Sequence, residues 1–214
     1  MAQRAAQQFL FGHEAPELDA SFSALTRIEL DHGAWIDLAR GWLRGHARLF
    51  EQLATGVAWR ADERTMYDQI VDVPRLYGDA PRTGPAAPVL AAMKRALDAH
   101  YRIDFTRNTL AYYRDGRDSV AFHGDYVARR MKADTLVATV SVGAPRRLLV
   151  RPTGGGRSIG FSIGCGDLLV MGGSCQRTHQ HGIPKVAHAG PRIAIMYRPT
   201  WDDDGNDQAP RDDR

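Results

Sequence analysis

From residue 104 onward the chain is written in short β-rich runs, and this rhythm limits its possible folds more than any other feature. The runs 109–113, 119–122, 136–142, 148–151, 159–163, 168–171 and 192–197 are rich in Val, Ile, Leu, Thr, Phe and Tyr. Turn signals separate them, among them Arg114-Asp115-Gly116, Gly154-Gly155-Gly156 and Gly172-Gly173. Strands this short cannot bury an apolar face alone. A series of them predicts a β-sandwich or barrel, in which they share one interior.

The first half is written differently. Residues 24–29 suit a short strand. Trp35, Leu38, Trp42, Leu49 and Leu53 recur at helical spacing with Leu43 and Phe50 beside them, which predicts an amphipathic helix over 34–54, interrupted by Gly41 and Gly45. Asp31 stands where that helix would be capped. Residues 59–77 have loop or edge-strand composition. After a Pro-rich turn, Val89, Met93, Leu97 and Tyr101 predict a second helix over 88–100. Helices followed by strands make an α+β layout. It divides into an N-terminal helical part (1–103), a β-rich part (104–200) and an Asp-rich tail (201–214) of disordered composition.

A chain of 214 residues suits one domain with a full core. No run approaches the roughly 18 apolar residues of a membrane span, and residues 1–8 lack the apolar centre of a signal peptide. A cytoplasmic monomer with no membrane partner is expected, and Cys165 and Cys175 are expected to be reduced thiols. The tail holds six Asp against two Arg, a net of −4, so the +3 of the whole chain leaves +7 on residues 1–200. A basic body favours a polyanionic partner through phosphate contacts. An ordinary solvated basic surface accounts for the same charge.

Within the β-rich part, His123-Gly124-Asp125 is followed 56 residues after Asp125 by His181. Side chains two apart on a strand share a face, so His123 and Asp125 can reach one metal. Two imidazoles and a carboxylate hold iron(II) on one side and leave positions open. The HxD pattern alone is weak, because His123 could equally cap a loop. Further on, Arg192 and Arg198 lie six apart on one alternating run and therefore face the same side. Guanidinium groups inside a β-core are costly unless they meet anions, and the planar group pairs well with a carboxylate. The alternative is a solvated strand face, with Ile193, Ile195 and Tyr197 turned inward.

The ordered text resembles the AlkB family of iron(II)- and 2-oxoglutarate-dependent dioxygenases. The resemblance is carried by Tyr113 through Asp125, by Val142-Gly143-Ala144-Pro145-Arg146-Arg147 and by Gly166-Asp167-Leu168-Leu169-Val170-Met171-Gly172-Gly173. It continues in Gln176-Arg177-Thr178-His179-Gln180-His181-Gly182-Ile183-Pro184-Lys185 and in Gly190 to Arg198. It implies a double-stranded β-helix (jelly-roll) core with N-terminal helices and a substrate-recognition lid. It also implies Fe(II), 2-oxoglutarate and O2 as cofactor and cosubstrates, and the removal of alkyl groups from alkylated DNA or RNA bases, DNA in preference to RNA. Formaldehyde, succinate and CO2 are the expected products. Carried over residue by residue, His123, Asp125 and His181 would hold iron. Arg192, helped by Tyr113, would bind the distal carboxylate of 2-oxoglutarate, and Arg198 would lie near its chelating end. His179 and His188 are the rival ligands. Arg75 and Tyr77 in Pro74-Arg75-Leu76-Tyr77-Gly78-Asp79 match lid text and would contact substrate. Tyr67 and Trp59 could do so or simply be core aromatics, and Arg129, Arg130 and Lys132 could meet phosphates.

The chain departs from the family text in three places. Ala111 stands where an Asn is common, Tyr126 and Val127 follow Asp125 where acidic residues are common, and His179 stands where Trp is common. These departures leave open an oxygenase of the same fold acting on a protein or small molecule. A non-catalytic binding module has no need of both the HxD…H and RxxxxxR sets.

Overall fold

Each of the seven predicted β runs falls on a strand of the protein. The structure, a computed structural model, describes residues 14–66, 69–125 and 133–200, and for 62–66 and 69–73 the main chain alone. Tyr67, Tyr126, Val127, Arg129, Arg130, Lys132 and the acidic tail lie outside the described residues. In chain order the elements are β1 (Glu17–Leu18), β2 (Leu25–Glu29), a 3-10 turn (Asp31–Gly33), β3 (Ala34–Ala39), β4 (Leu43–Arg44), α1 (His46–Gly56), β5 (Arg60–Met66) and β6 (Gln69–Asp79). There follow α2 (Ala87–Tyr101), β7 (Arg107–Tyr113), β8 (Val120–His123), β9 (Val137–Gly143), β10 (Arg146–Pro152), β11 (Ile159–Ile163), β12 (Asp167–Gly173), the single turn α3 (Cys175–Thr178), β13 (His179–Ile183) and β14 (Arg192–Arg198).

Among the described residues the strands form an eight-stranded sheet in the order β2-β3-β12-β9-β14-β7-β6-β5, a four-stranded sheet in the order β11-β10-β13-β8, and a small β1-β4 pair. The two larger sheets face each other as a jelly-roll. Their shared interior holds Ala111, Tyr113, Leu148, Val150, Phe161, Ile163, Met171 and Ala194. The outer face of the large sheet is also dry. There Ile193, Ile195 and Tyr197 pack with Leu49 and Leu53 of α1 and Leu90, Met93 and Leu97 of α2. Each such side chain contributes about 1.5–3 kcal/mol by leaving water. Burial of both faces resolves the two readings of the last strand: Ile193, Ile195 and Tyr197 turn toward the helices, and Arg192 and Arg198 turn into the jelly-roll.

The predicted helix over 34–54 is half wrong. Residues 34–39 form β3, bonded to β2 on one side and β12 on the other, and the helix begins only at His46. A strand between two others and buried on both faces loses its alternation, and here the leftover apolar spacing imitates a helix. Gly45 marks the true start of the helix. Its φ is +60°, and a side chain there would strike the Ala15 carbonyl. Asp31 opens the 3-10 turn rather than capping a helix. The second helix is present as α2, one residue longer at each end than predicted. The compositional boundary at 103/104 does not interrupt the large sheet, because β6 pairs with β7 across it. Both cysteines are free. No helix among the described residues is long and apolar enough to cross a membrane.

Candidate metal centre and carboxylate pocket

His123 and His181 are direct cross-strand partners of β8 and β13, with ring centroids 4.3 Å apart. Asp125 follows just past the end of β8. One ligand atom from each of the three lies within 4.8 Å of the others, the grouping expected of a metal site. The protonation states suit metal binding. The Ala121 carbonyl can only accept, so the His123 Nδ1–H donates to it at 2.9 Å and leaves Nε2 with a free lone pair. Burial pushes the His123 pKa down and that of His181 down to about 3, the neighbouring His123 adding to the effect. Both rings are therefore neutral at physiological pH. Burial alone would favour protonated Asp125, but the charge of Arg198 and its hydrogen bond to the carboxylate outweigh it and hold the carboxyl at about 2. The set is two neutral imidazoles and one carboxylate, a donor set that fits iron(II).

β13 was not among the predicted strands, since His179-Gln180-His181-Gly182-Ile183 has neither apolar alternation nor a β-branched run. It exists because β10 and β8 pair with its two edges. The rival ligands fall away. His179 is buried with its Nδ1 2.8 Å from the Thr178 hydroxyl, and His188 sits exposed in the loop before β14. Neither belongs to the group of ligand atoms.

Near this group, linked to it by Arg75, buried arginines gather around Tyr113. Arg192 is 1% exposed. It pairs with Tyr113 across β14 and β7, and its guanidinium lies 5.2 Å from the Tyr113 ring centroid. Nη2 donates to the Ser141 hydroxyl at 2.7 Å, while the buried Nε and Nη1 have no hydrogen-bond partner among the described residues. Burial pushes its pKa down to about 10, with Tyr113 opposing and Arg146 and Arg75 adding to the effect. A charged fork with two unsatisfied donors inside a protein fits a carboxylate ligand. Arg146, 3% exposed, lies 5.6 Å from the same ring and donates to the carbonyls of Asp115, Asp118 and Pro184. It thereby ties together the loop from Tyr113 to His123 and the loop from His181 to Arg192. Ser141, Arg146 and Gln176 had no sequence signal of their own beyond the family text.

Arg198 stands at the metal site itself. Its Nε donates to Asp125 Oδ2 at 2.7 Å and its Nη1 to the Thr109 hydroxyl at 3.1 Å. It grips the metal-site carboxylate, which is the anion a guanidinium on this strand face needs. Arg75 and Tyr77, two apart on β6, share a side, and the Arg75 guanidinium lies 4.7 Å from the Tyr77 ring and 6.0 Å from that of Tyr113. Arg75 Nε and Nη1 are buried without a partner among the described residues, and its charge depresses the pKa of both metal-site histidines. Trp59 lies on the other side of the sheet, packed on Tyr112 and bonded to the Ala54 carbonyl, a core aromatic.

Comparison with known proteins agrees with this geometry. Residues 46–200 match the family profile described as the 2OG-Fe(II) oxygenase superfamily. The chain is 27% identical over 209 residues to the alpha-ketoglutarate-dependent dioxygenase alkB homolog 3 of Bos taurus, covering 87% of this chain and 71% of that protein. It is 30% identical over 116 residues to the uncharacterized protein R406 of Acanthamoeba polyphaga mimivirus, covering 53% of this chain and 60% of the viral protein. In fold it is similar to the solved structure of OsALKBH1, with a TM-score of 0.52 at 13% identity over 82% of this chain and 100% of that one.

Proposed function

Because the chain belongs to the 2OG-Fe(II) oxygenase superfamily as an AlkB-family member, we propose that it oxidatively dealkylates the bases of alkylated nucleic acid, DNA in preference to RNA. The observation that carries this reading is the pairing of Arg75 and Tyr77 beside the metal-site histidines. A flat ring and a cation with two nitrogens unpaired among the described residues suit a base drawn from its stack together with the phosphate beside it. The +7 of residues 1–200 supports the same partner.

The family works with Fe(II), 2-oxoglutarate and O2. In this chain His123, Asp125 and His181 are the proposed iron ligands, and Arg192, with Ser141 and Tyr113, is the proposed holder of the distal carboxylate. When bound, iron and its cosubstrates supply the oxidation: 2-oxoglutarate becomes succinate and CO2, and an N-methyl group is hydroxylated and lost as formaldehyde. The protein's own part is orientation. Arg192 anchors one end of the dicarboxylate so that its other end points toward the metal site. Arg198 donates to Asp125 Oδ2, and the other carboxylate oxygen would be free to hold the metal. The paired sheets exclude water around these groups, and inside them each charged contact is stronger than in solution.

The test is succinate and formaldehyde production with Fe(II) and 2-oxoglutarate, with and without an N-methylated oligonucleotide. Stimulated succinate formation matched by formaldehyde supports the reading. Basal turnover that no methylated DNA or RNA increases rules it out and favours a protein or small-molecule substrate. Ala111 speaks for that second reading, because it lies across from Tyr77 in the sheet and offers no polar group to cosubstrate or base.

A further inference from the structure

Two of the three metal-site side chains are set by strand pairing, since His123 and His181 face each other across β8 and β13. Asp125 is not. β8 ends at His123, so Asp125 stands two residues beyond the strand that leads to it. Gln176 reaches it there: the Asp125 N–H donates to Gln176 Oε1 at 3.0 Å. Gln176 is 1% exposed and lies on α3, the turn that joins β12 to the strand bearing His181. The orientation of its amide follows from chemistry. Turned over, its NH2 would meet the Asp125 N–H, donor against donor. As it stands, Nε2 faces the Met171 thioether at 3.8 Å. The carboxylate of Asp125 is gripped separately, by Arg198.

We infer that Gln176 is a positioning residue for the metal site, locking the main chain of Asp125 to the segment that carries His181. The carboxylate then meets the two imidazoles in register without a strand to hold it. Partners that orient a ligand in this way are worth roughly 10- to 100-fold in metal affinity. The inference rests on the iron-site assignment and not on the identity of the substrate.

The experiment compares Gln176→Met, which keeps the volume and removes the acceptor, with Gln176→Glu, which keeps an acceptor oxygen in the same place. Mn(II) dissociation constants of the apo protein are read from the EPR signal of free Mn(II), alongside each variant's thermal midpoint. Gln176→Met is expected to weaken Mn(II) binding about tenfold or more, and Gln176→Glu to stay within about threefold of wild type. Wild-type affinity in Gln176→Met overturns the inference. An equal loss in both variants does so too, because the acceptor is then not what matters. Asp125→Ala and His181→Ala test the site itself. If neither weakens Mn(II) binding, the iron-site assignment fails and the inference with it. If both weaken it while Gln176→Met does not, the role of Gln176 alone is refuted.

Discussion

Replacing Arg192 with methionine should raise the stability of the apo protein while destroying its response to 2-oxoglutarate. The two effects have one cause. Arg192 is 1% exposed, donates to the Ser141 hydroxyl and leaves Nε and Nη1 buried without partners among the described residues. Each unsatisfied buried donor costs about 1–3 kcal/mol. Methionine fills similar space without the charge. Against this stand the lost Ser141 bond, about 1 kcal/mol, and the lost contact with Tyr113, about 0.5–2 kcal/mol. A net gain of about 1–3 kcal/mol corresponds to a midpoint rise of roughly 2–10 °C for a chain of this size. In the wild type a dicarboxylate satisfies the same two nitrogens, and charge-assisted bonds of this kind are worth about 1.5–3 kcal/mol each. Losing both, about 3–6 kcal/mol in all, should raise the 2-oxoglutarate requirement by about 100-fold or more. The assay is differential scanning fluorimetry with and without 2-oxoglutarate and Mn(II), paired with the KM for 2-oxoglutarate in succinate formation. The argument is refuted if the apo midpoint of Arg192→Met falls by several degrees. It is refuted equally if 2-oxoglutarate stabilises the variant as well as it does the wild type.

Other perturbations test neighbouring parts of the structure. Arg75→Gln removes from beside the histidines a cation with two nitrogens unpaired among the described residues, so KM for a methylated oligonucleotide should rise about tenfold with KM for 2-oxoglutarate little changed. A change confined to 2-oxoglutarate would reassign Arg75 to the cosubstrate. Acidification should destabilise the apo protein from about pH 6.5 downward. The folded state holds His181 at about 3 and lowers His123, His46 and His179, in each case chiefly by burial. The unfolded chain therefore binds more protons in that range, and stability falls as pH falls, by up to about 1.4 kcal/mol per pH unit for each such histidine. Urea midpoints between about pH 8 and pH 5 measure this, and a flat profile would contradict the burial of these rings. His181→Phe should flatten part of the slope.

The site was legible to different depths at different residues. His123, Asp125 and His181 come together as the family text implied, and Arg192 faces inward with Tyr113 as the resemblance implied, where strand phase alone left the side open. Arg198 was placed on the correct face, but its grip on Asp125 was not foreseen. Phase tells which residues share a side, and the nearest anion, Asp125, lies 73 residues away in sequence. Gln176 and Arg146 gave no pattern at all, because their partners are main-chain atoms of distant loops.

The chain's own text determined the seven β runs, the helix over 88–100, the residue types at the metal site and the shared strand face of Arg192 and Arg198, all of which depend on local period and side-chain chemistry. Only the tertiary structure decided that residues 34–39 are a strand and that His179–Ile183 is one as well. Each is defined by hydrogen bonds to neighbours remote in sequence, which no local pattern records. The same holds for the pocket. Local rules can require that a buried arginine meet an anion, but which of Arg75, Arg192 and Arg198 already has one is fixed by the packing of two sheets.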